Sequence, residues 1–261
     1  MPLLKIIFLA IVQGITEFFP VSSSGHLVIL EHLFKIGGDK VFLTVTLHAG
    51  TFLSVLIFYR KRVWEIIKNF INLIIKPKSV DKGEKDYILG IIIVTIITGS
   101  IALLFKDFFE SLFSKPIYAS VALFITGVIL LLTKKAKEKK EINTLKDSIF
   151  VGLAQSFAII PGISRSGSTI STTLFLGWNK KRGAEFSFIA FLPAMFGAII
   201  LEGRKIGVVT NIFPLFIGFI ISFITGIIAI KYLLKLIENR KFYLFGIYCL
   251  IISILSFFYF L

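Results

Sequence analysis

Three ionisable side chains lie inside apolar stretches of the sequence, where each of them alone would be costly. They are Glu17 and His26 near the N-terminus and Arg165 in the second half of the chain. A carboxylate, an imidazole and a guanidinium together supply a proton carrier and an anion-binding group. We therefore expect these three side chains to share one polar cavity.

Clusters of Pro, Ser and Gly surround these side chains. One cluster spans residues 20–25 and the other spans residues 161–169. Because proline ends helices and serine is a favoured N-cap, a half-helix is expected to begin near residues 22–24 and another near residues 164–166. Two helix N-termini present free N–H groups and positive dipole ends, which favour an anion. Arg165 adds a planar fork of donors suited to two phosphate oxygens, so the inferred ligand is a phosphate or diphosphate.

Phosphoryl transfer needs charge neutralisation, a nucleophile and a proton carrier, and this set of residues offers all three. Ser23 or a neighbouring hydroxyl can attack or position the phosphate with His26 as acid/base, or His26 can itself attack. Glu17 can orient His26 or, with Gln13 one turn earlier, hold a divalent ion beside the phosphates. The residues alone do not choose among these roles. The side chains expected to bind the substrate are Gln13, Ser22, Ser24, Ser164, Ser166 and Thr169.

The composition excludes an ordinary soluble protein. Of 261 residues, 56% are hydrophobic and only 17% are charged, and the mean hydropathy is +0.90. These values are typical of an all-α integral membrane protein with several transmembrane helices. The single cysteine, Cys249, excludes an intramolecular disulfide. The apolar runs that could span a bilayer are 41–59, 87–105, 117–132, 185–201, 211–230 and 242–261.

Two further apolar segments, 2–34 and 147–178, are broken in the middle and resemble each other. An offset of 142 residues pairs Gln13 with Gln155, Ser22 with Ser164, Ser24 with Ser166 and Gly25 with Gly167. We predict two repeats of inverted topology, each a re-entrant broken helix pair followed by three transmembrane helices. The repeats are placed at 1–133 and 147–261, with a basic linker at 134–146.

The basic residues predict the orientation. Of the 29 Lys and Arg, 21 lie in four segments that the repeat model puts on one side, and seven lie on the other. The side with 21 basic residues is therefore expected to be cytoplasmic. Both termini and the mouth of the site are then expected outside the plasma membrane. The four segments are 60–86, interpreted as a polar loop, and 134–147, 178–184 and 231–241. The opposite side has Lys5, Lys35, Lys40, Lys106, Lys115, Arg204 and Lys205.

Other polar residues receive structural interpretations. His32 and His48 are interpreted as packing residues, because a lone histidine in an apolar segment usually bonds locally. Glu185 is interpreted as a polar support near the start of a span or as a partner at the interface of the repeats.

The motifs resemble those of the undecaprenyl-diphosphate phosphatase family, the bacitracin-resistance protein type. Residues 13–17 are similar to its Glu/Gln-x-x-x-Glu element, residues 20–26 to its PVSSxGH run and residues 161–169 to its PGxSRSxxT run. The resemblance covers the whole chain. It implies a membrane enzyme, linked to antibiotic resistance, that converts a polyprenyl diphosphate lipid to its monophosphate. This reaction recycles the lipid carrier for peptidoglycan or glycan synthesis.

The resemblance also implies which residues act. The positions that match implicated residues of the family are Glu17, Ser23, His26 and Arg165. It further implies dependence on a divalent cation, Mg²⁺ or Ca²⁺, although Gln13 stands where many members have glutamate. A homodimer is one expected assembly, and no nucleic-acid partner is expected.

Two alternative functions differ in their requirements. Type-2 phosphatidic acid phosphatases share short Ser-Gly-His and Ser-Arg fragments, but their chemistry needs a further histidine downstream, and none follows His48. A polyprenyl-phosphate flippase or an anion transporter could use the same inverted-repeat site. Such a carrier could bind phosphate through Arg165 and helix ends alone, whereas hydrolysis uses the acid/base groups Glu17 and His26.

Overall fold

A computed structural model describes residues 3–34, 40–138, 144–204 and 212–261. Within these ranges the chain forms α-helices and two single 3₁₀ turns, at Pro77–Ser79 and Thr133–Lys135. The helices are α1 Leu3–Thr16, α2 Ser23–Leu33, α3 Lys40–Phe58, α4 Arg60–Ile75, α5 Lys82–Leu104, α6 Lys106–Leu112, α7 Pro116–Leu132, α8 Thr144–Phe157, α9 Arg165–Phe175, α10 Lys180–Gly203, α11 Phe213–Glu238 and α12 Leu244–Phe260.

Several helices have the length and composition of membrane spans. Helices α5, α7, α10 and α11 are each long and apolar enough to cross a membrane. Helices α3 and α4 meet the same criterion when they are taken together, and the angle between them is 81°. Helices α1 and α12 are apolar but shorter. The six apolar runs of the sequence overlap α3, α5, α7, α10, α11 and α12, so the prediction of an all-α integral membrane protein is confirmed.

In segments 2–34 and 147–178 the helix is interrupted at the positions predicted from the serines. Ser22 caps α2 by accepting a hydrogen bond from the Gly25 N–H at 3.2 Å. Ser164 caps α9 by accepting from the Gly167 N–H at 3.0 Å. Each hydroxyl satisfies one of the donors that a helix start leaves unpaired. The prediction of half-helices beginning at these serines is confirmed.

The two breaks touch each other in the middle of the protein. The Ser22 hydroxyl also accepts a hydrogen bond from the Gly162 N–H at 3.2 Å. Gly162 has φ +99°, and a Cβ there would lie 2.3 Å from the Ala119 carbonyl oxygen. Glycine is therefore needed both for the backbone conformation and for the space. Ser22 itself has φ 66°, a conformation that non-glycine residues adopt mainly where surrounding contacts enforce it.

Helices from both ends of the chain interlock around these breaks. Helix α1 packs on α11, α8 packs on α5, α7 packs on α12, and α3 lies between α10 and α11. Small residues allow the close approach: a Cβ on Gly14 would lie 1.9 Å from the Thr225 hydroxyl, and one on Gly50 would lie 2.1 Å from the Ser222 hydroxyl. Such small-residue contacts are typical of helix packing in membranes.

Helix α4 corrects the interpretation of residues 60–86 as a polar loop. Its 16 residues are followed by the 3₁₀ turn and then directly by α5. One face of α4 presents Trp64, Ile67, Ile71 and Ile74 outward, with 44–71% of each residue exposed. The next face carries exposed charged residues such as Lys61 and Lys68, which is the pattern of a helix lying at a membrane interface.

Arg62 attaches α4 to the helix bundle. Its guanidinium forms a two-bond contact with Glu84 at 2.9 and 3.0 Å, and its Nε lies 3.2 Å from Glu185. The guanidinium also stacks over the Tyr87 ring at 4.6 Å. Glu185 is thus a polar support that joins α4, α5 and α10, as interpreted from the sequence.

Parts of the charge pattern lie outside the described residues. These are residues 139–143 of the basic linker predicted at 134–146, together with Lys35 and Lys205.

Candidate active site

Glu17 is the centre of the site and lies in the turn that follows α1. One carboxylate oxygen accepts a hydrogen bond from Arg165 Nη2 at 2.8 Å. The other accepts from Ser23 Oγ at 2.6 Å and from Gln13 Nε2 at 3.0 Å. Only 7% of Glu17 is exposed. Of the three side chains expected to share one cavity, Glu17 and Arg165 are in direct contact, whereas His26 is not bonded to either of them. Each broken segment contributes one partner of the ion pair.

Two polar atoms beside this ion pair lack a partner. Arg165 stacks on the Phe191 ring at 3.9 Å and bonds Glu17 through Nη2, but its Nη1 is buried without a hydrogen bond among the described residues. The same is true of Gln13 Oε1. Buried polar groups are normally paired, so unpaired ones at a charged site indicate a place for a ligand.

His26 lies one turn further along α2 and faces a different neighbour. Its Nδ1 is 2.8 Å from the Ser22 carbonyl oxygen, and its Nε2 is 2.8 Å from the Tyr248 hydroxyl. Both ring nitrogens are therefore engaged away from Glu17. The interpretation that Glu17 orients His26 is wrong for this arrangement, because the Ser22 backbone and Tyr248 do so.

The structure also corrects the interpretation of His48 as a packing residue. Its Nδ1 bonds the Thr44 carbonyl oxygen at 2.9 Å, as expected for a helical histidine, but its Nε2 lies 3.7 Å from the Glu17 carboxylate. His48 thus belongs to the polar group around Glu17. The rule that selected Glu17 and His26, an ionisable group in an apolar segment, also applies to His48 and could have identified it.

The hydroxyls predicted to bind substrate line the two helix starts. Ser22 and Ser164 act as the caps described above, and Ser24 Oγ lies 3.3 Å from Ser22 Oγ. Ser166 Oγ lies 3.3 Å from Ser164 Oγ and 3.4 Å from the Phe19 carbonyl oxygen. These four side chains surround the junction of the breaks.

Thr169 and Thr126 support the second break from either side. Thr169 donates to the Arg165 carbonyl at 2.8 Å and shares a hydrogen bond with Ser187 at 2.5 Å. Thr126, on α7, donates to the Gly162 carbonyl at 2.9 Å and accepts from the Ser164 N–H at 3.1 Å. Thr126 carries no sequence signal, because its partners lie 36 and 38 residues away.

The site offers few ligands for a metal ion. Among the described residues, no group of three His, Cys, Asp or Glu side chains could hold one. Besides the serine hydroxyls described above, the oxygen donors beside the ion pair are the Glu17 carboxylate and the unpaired Gln13 Oε1. Magnesium usually takes one or two protein ligands and completes its shell with water and substrate phosphates, and these two residues fit that arrangement.

The geometry as a whole fits an anion rather than a neutral ligand. The N-termini of α2 and α9 meet at the junction, and the first N–H groups of each helix point out of the helix end. The Arg165 guanidinium provides a fixed positive charge beside them. A phosphate group at this position would find donors on several sides, with a carboxylate and a serine hydroxyl next to it.

Comparison with known proteins identifies relatives over almost the whole chain. A family model described as "Bacitracin resistance protein BacA" matches residues 6–255. An undecaprenyl-diphosphatase of Alkaliphilus metalliredigens is 40% identical, with 94% of each chain covered. One of Methanobrevibacter smithii is 38% identical, and one of Halothermothrix orenii is 40% identical; both comparisons cover 98% of this chain and 97% of the relative.

Proposed function

We propose that this chain, which belongs to the bacitracin resistance protein BacA family, is an undecaprenyl-diphosphatase. It hydrolyses undecaprenyl diphosphate to undecaprenyl monophosphate and inorganic phosphate. This reaction returns the lipid carrier to cell-wall or glycan synthesis. The observation that carries the proposal is the buried Glu17–Arg165 ion pair at the junction of two helix N-termini, with Arg165 Nη1 left free for a ligand.

Arg165 and the two helix starts bind the diphosphate. Arg165 Nη1 donates to phosphate oxygens, and the first N–H groups of α2 and α9 surround the remaining oxygens. The Arg165 and Glu17 side chains are largely buried, and burial strengthens the interaction of the guanidinium with the charge that develops on the phosphate.

Ser23 and Glu17 form the reactive pair beside the phosphate. The Ser23 hydroxyl donates to Glu17 at 2.6 Å, so the carboxylate is placed to take its proton. In one route the Ser23 oxygen bonds to the terminal phosphorus as the bond to the bridging oxygen breaks, and water then hydrolyses the phosphoserine to inorganic phosphate and free Ser23. In the other route a water molecule bonded to Glu17 attacks the phosphorus directly. Undecaprenyl monophosphate is the leaving group, and Arg165 neutralises the charge that it gains.

A divalent cation would be held by Glu17 and Gln13 Oε1 together with the diphosphate, and it would supply further charge neutralisation. The buried, unpaired Gln13 oxygen supports this assignment. The identity of the cation and the predicted homodimer stay predictions.

Phosphate release from the lipid tests the function directly. The full chain, purified in detergent, is expected to release inorganic phosphate from undecaprenyl diphosphate when Mg²⁺ or Ca²⁺ is present. The Alkaliphilus metalliredigens relative serves as positive control. No release under conditions where that relative is active would contradict the proposed function.

The Gln13→Glu variant tests the cation site. A second carboxylate beside Glu17 increases the charge available to the cation. We expect the Mg²⁺ concentration for half-maximal phosphate release to fall about tenfold, a gain of about 1.4 kcal/mol. Gln155→Glu, the matched change at Gln155 on α8, should leave this concentration unchanged. An unchanged or higher Mg²⁺ requirement for Gln13→Glu would place the cation elsewhere.

The fold is further proposed to consist of two repeats of inverted topology. Helix α1 packs on α11 of the second half as α8 packs on α5 of the first, and α7 packs on its counterpart α12. Ser22 and Ser164 cap equivalent half-helices. These pairings support a twofold relation between residues 1–133 and 147–261.

The orientation in the plasma membrane is proposed from the charges, with the basic segments in the cytoplasm and the termini outside. The exposed Lys137 provides a test. In a Cys249→Ser background, a cysteine introduced by Lys137→Cys should resist an impermeant thiol reagent in intact cells and react after lysis. Labelling in intact cells would show that Lys137 lies outside and that the orientation is the reverse of the one proposed.

A further inference from the structure

We propose that Tyr248, on the last helix, carries protons between His26 and the reacting phosphate group. The proposal rests on the proposed phosphatase function and adds a residue to its mechanism. Tyr248 lies 222 residues from His26, and its hydroxyl is 2.8 Å from His26 Nε2. The packing of α12 against the rest of the helix bundle brings Tyr248 to this position.

The backbone determines which nitrogen of His26 carries a hydrogen. Nδ1 lies 2.8 Å from the Ser22 carbonyl oxygen, which can only accept a hydrogen bond, so Nδ1 must be an N–H. In the neutral ring, Nε2 then has the only lone pair. That lone pair accepts from the Tyr248 hydroxyl, because the tyrosine O–H is the donor present at this distance.

A proton that enters or leaves His26 must therefore pass through its Nε2 contact. A hydroxyl suits this position because it donates to neutral His26 and accepts from the protonated ring. Tyr248 remains hydrogen-bonded in both states, and the imidazole does not need to rotate between them.

The surrounding packing holds the two rings in this arrangement. They are parallel within 6°, with centroids 5.7 Å apart. The next residue, Cys249, contacts the Pro20 carbonyl oxygen through its sulfur at 3.6 Å, which fixes α12 against the first break. One turn later, Ser253 donates to the Ser120 carbonyl at 2.7 Å and ties α12 to α7.

Exposure differs between the two partners. His26 is 9% exposed, whereas Tyr248 is 42% exposed. His26 is therefore buried, whereas its hydrogen-bond partner Tyr248 lies partly at the surface of the helix bundle.

The proton-transfer step balances without another reactant. Glu17 takes the proton of the attacking hydroxyl, so Tyr248 and protonated His26 serve the leaving group instead. As the bond to the bridging oxygen breaks, the tyrosine O–H proton bonds to that oxygen and the Nε2 proton of the imidazolium moves to the Tyr248 oxygen. Tyrosine is neutral before and after, and His26 becomes the neutral imidazole.

The Tyr248→Phe variant tests the proposal, because it keeps the ring and removes only the hydroxyl. We expect kcat for phosphate release from undecaprenyl diphosphate to fall about 10²-fold or more, while KM and Tm stay close to those of the wild type. Tyr259→Phe, which alters an exposed tyrosine on the same helix, is the matched control and should retain full activity.

Other results are also informative. A Tyr248→Phe enzyme within about twofold of wild-type kcat would overturn the relay, as would a loss that appears only in KM or only together with a lower Tm. A wild-type protein without phosphate release would instead contradict the proposed function. If Tyr248 acts through His26, the Tyr248→Phe change should lower kcat by no more than the His26→Asn change does.

Discussion

Replacing Arg165 with alanine is expected to reduce phosphate release from undecaprenyl diphosphate by about 10²–10³-fold or more, the usual cost of removing a donor that stabilises developing charge. Arg165 supplies the unpaired Nη1 and the only guanidinium at the junction of α2 and α9 in the described part of the chain. Arg165→Lys should recover only part of the activity, because lysine keeps the charge but not the planar fork.

The same change should also destabilise the protein, which must be separated from the loss of catalysis. Removing one member of a buried ion pair leaves the other uncompensated, at a cost of about 3–5 kcal/mol. We expect Tm to fall in Arg165→Ala and to recover in the double variant Arg165→Ala/Glu17→Gln, where no unpaired charge remains. Activity should not recover with it.

Arg182→Ala, which alters an arginine stacked over Trp178 at 5.6 Å, serves as a control away from the site and should stay near wild-type activity. Undiminished phosphate release by Arg165→Ala would remove Arg165 from the mechanism.

Replacing His26 with asparagine is expected to lower kcat by about 10²–10⁴-fold, the range typical of a lost acid/base group. The asparagine amide can still donate to the Ser22 carbonyl, as Nδ1 does, but it has no nitrogen at the Nε2 position and cannot take up a proton. The local fold of α2 is thereby retained while the proton carrier is lost.

His32→Asn gives a matched control within the same helix. His32 Nδ1 bonds the carbonyl oxygen four residues earlier at 2.9 Å, as His26 does, and its ring packs edge-on against Phe260. This variant should keep its activity and reveal any general effect of the substitution on α2. If His26→Asn also kept full kcat, His26 would have no part in proton transfer.

Local patterns predicted much of the site. Ser22 and Ser164 were identifiable as caps because capping depends on residues three positions apart. The pairing of Glu17 with Arg165 followed from the cost of isolated charges in an apolar environment. The sequence did not predict that His26 turns towards Tyr248, since that contact joins helices from opposite ends of the chain.

Helix α4 shows where charge misled the interpretation. Its lysines and arginines suggested a polar loop, yet Trp64, Ile67, Ile71 and Ile74 recur at helical spacing. The hydrophobic periodicity was present but was outweighed by the charges between these residues. Tyr248 and Thr126 had no comparable signal, because one tyrosine or threonine in an apolar helix resembles any other.

We expect the 81° bend between α3 and α4 to set how deeply the enzyme lies in its bilayer. Because one face of α4 is apolar and the next carries lysines, α4 is expected to lie at the level of the lipid headgroups. Arg62 clamps it to α5 and α10, so the body of the protein cannot slide relative to that level. We therefore expect changes in bilayer thickness to be absorbed at the far ends of the spans.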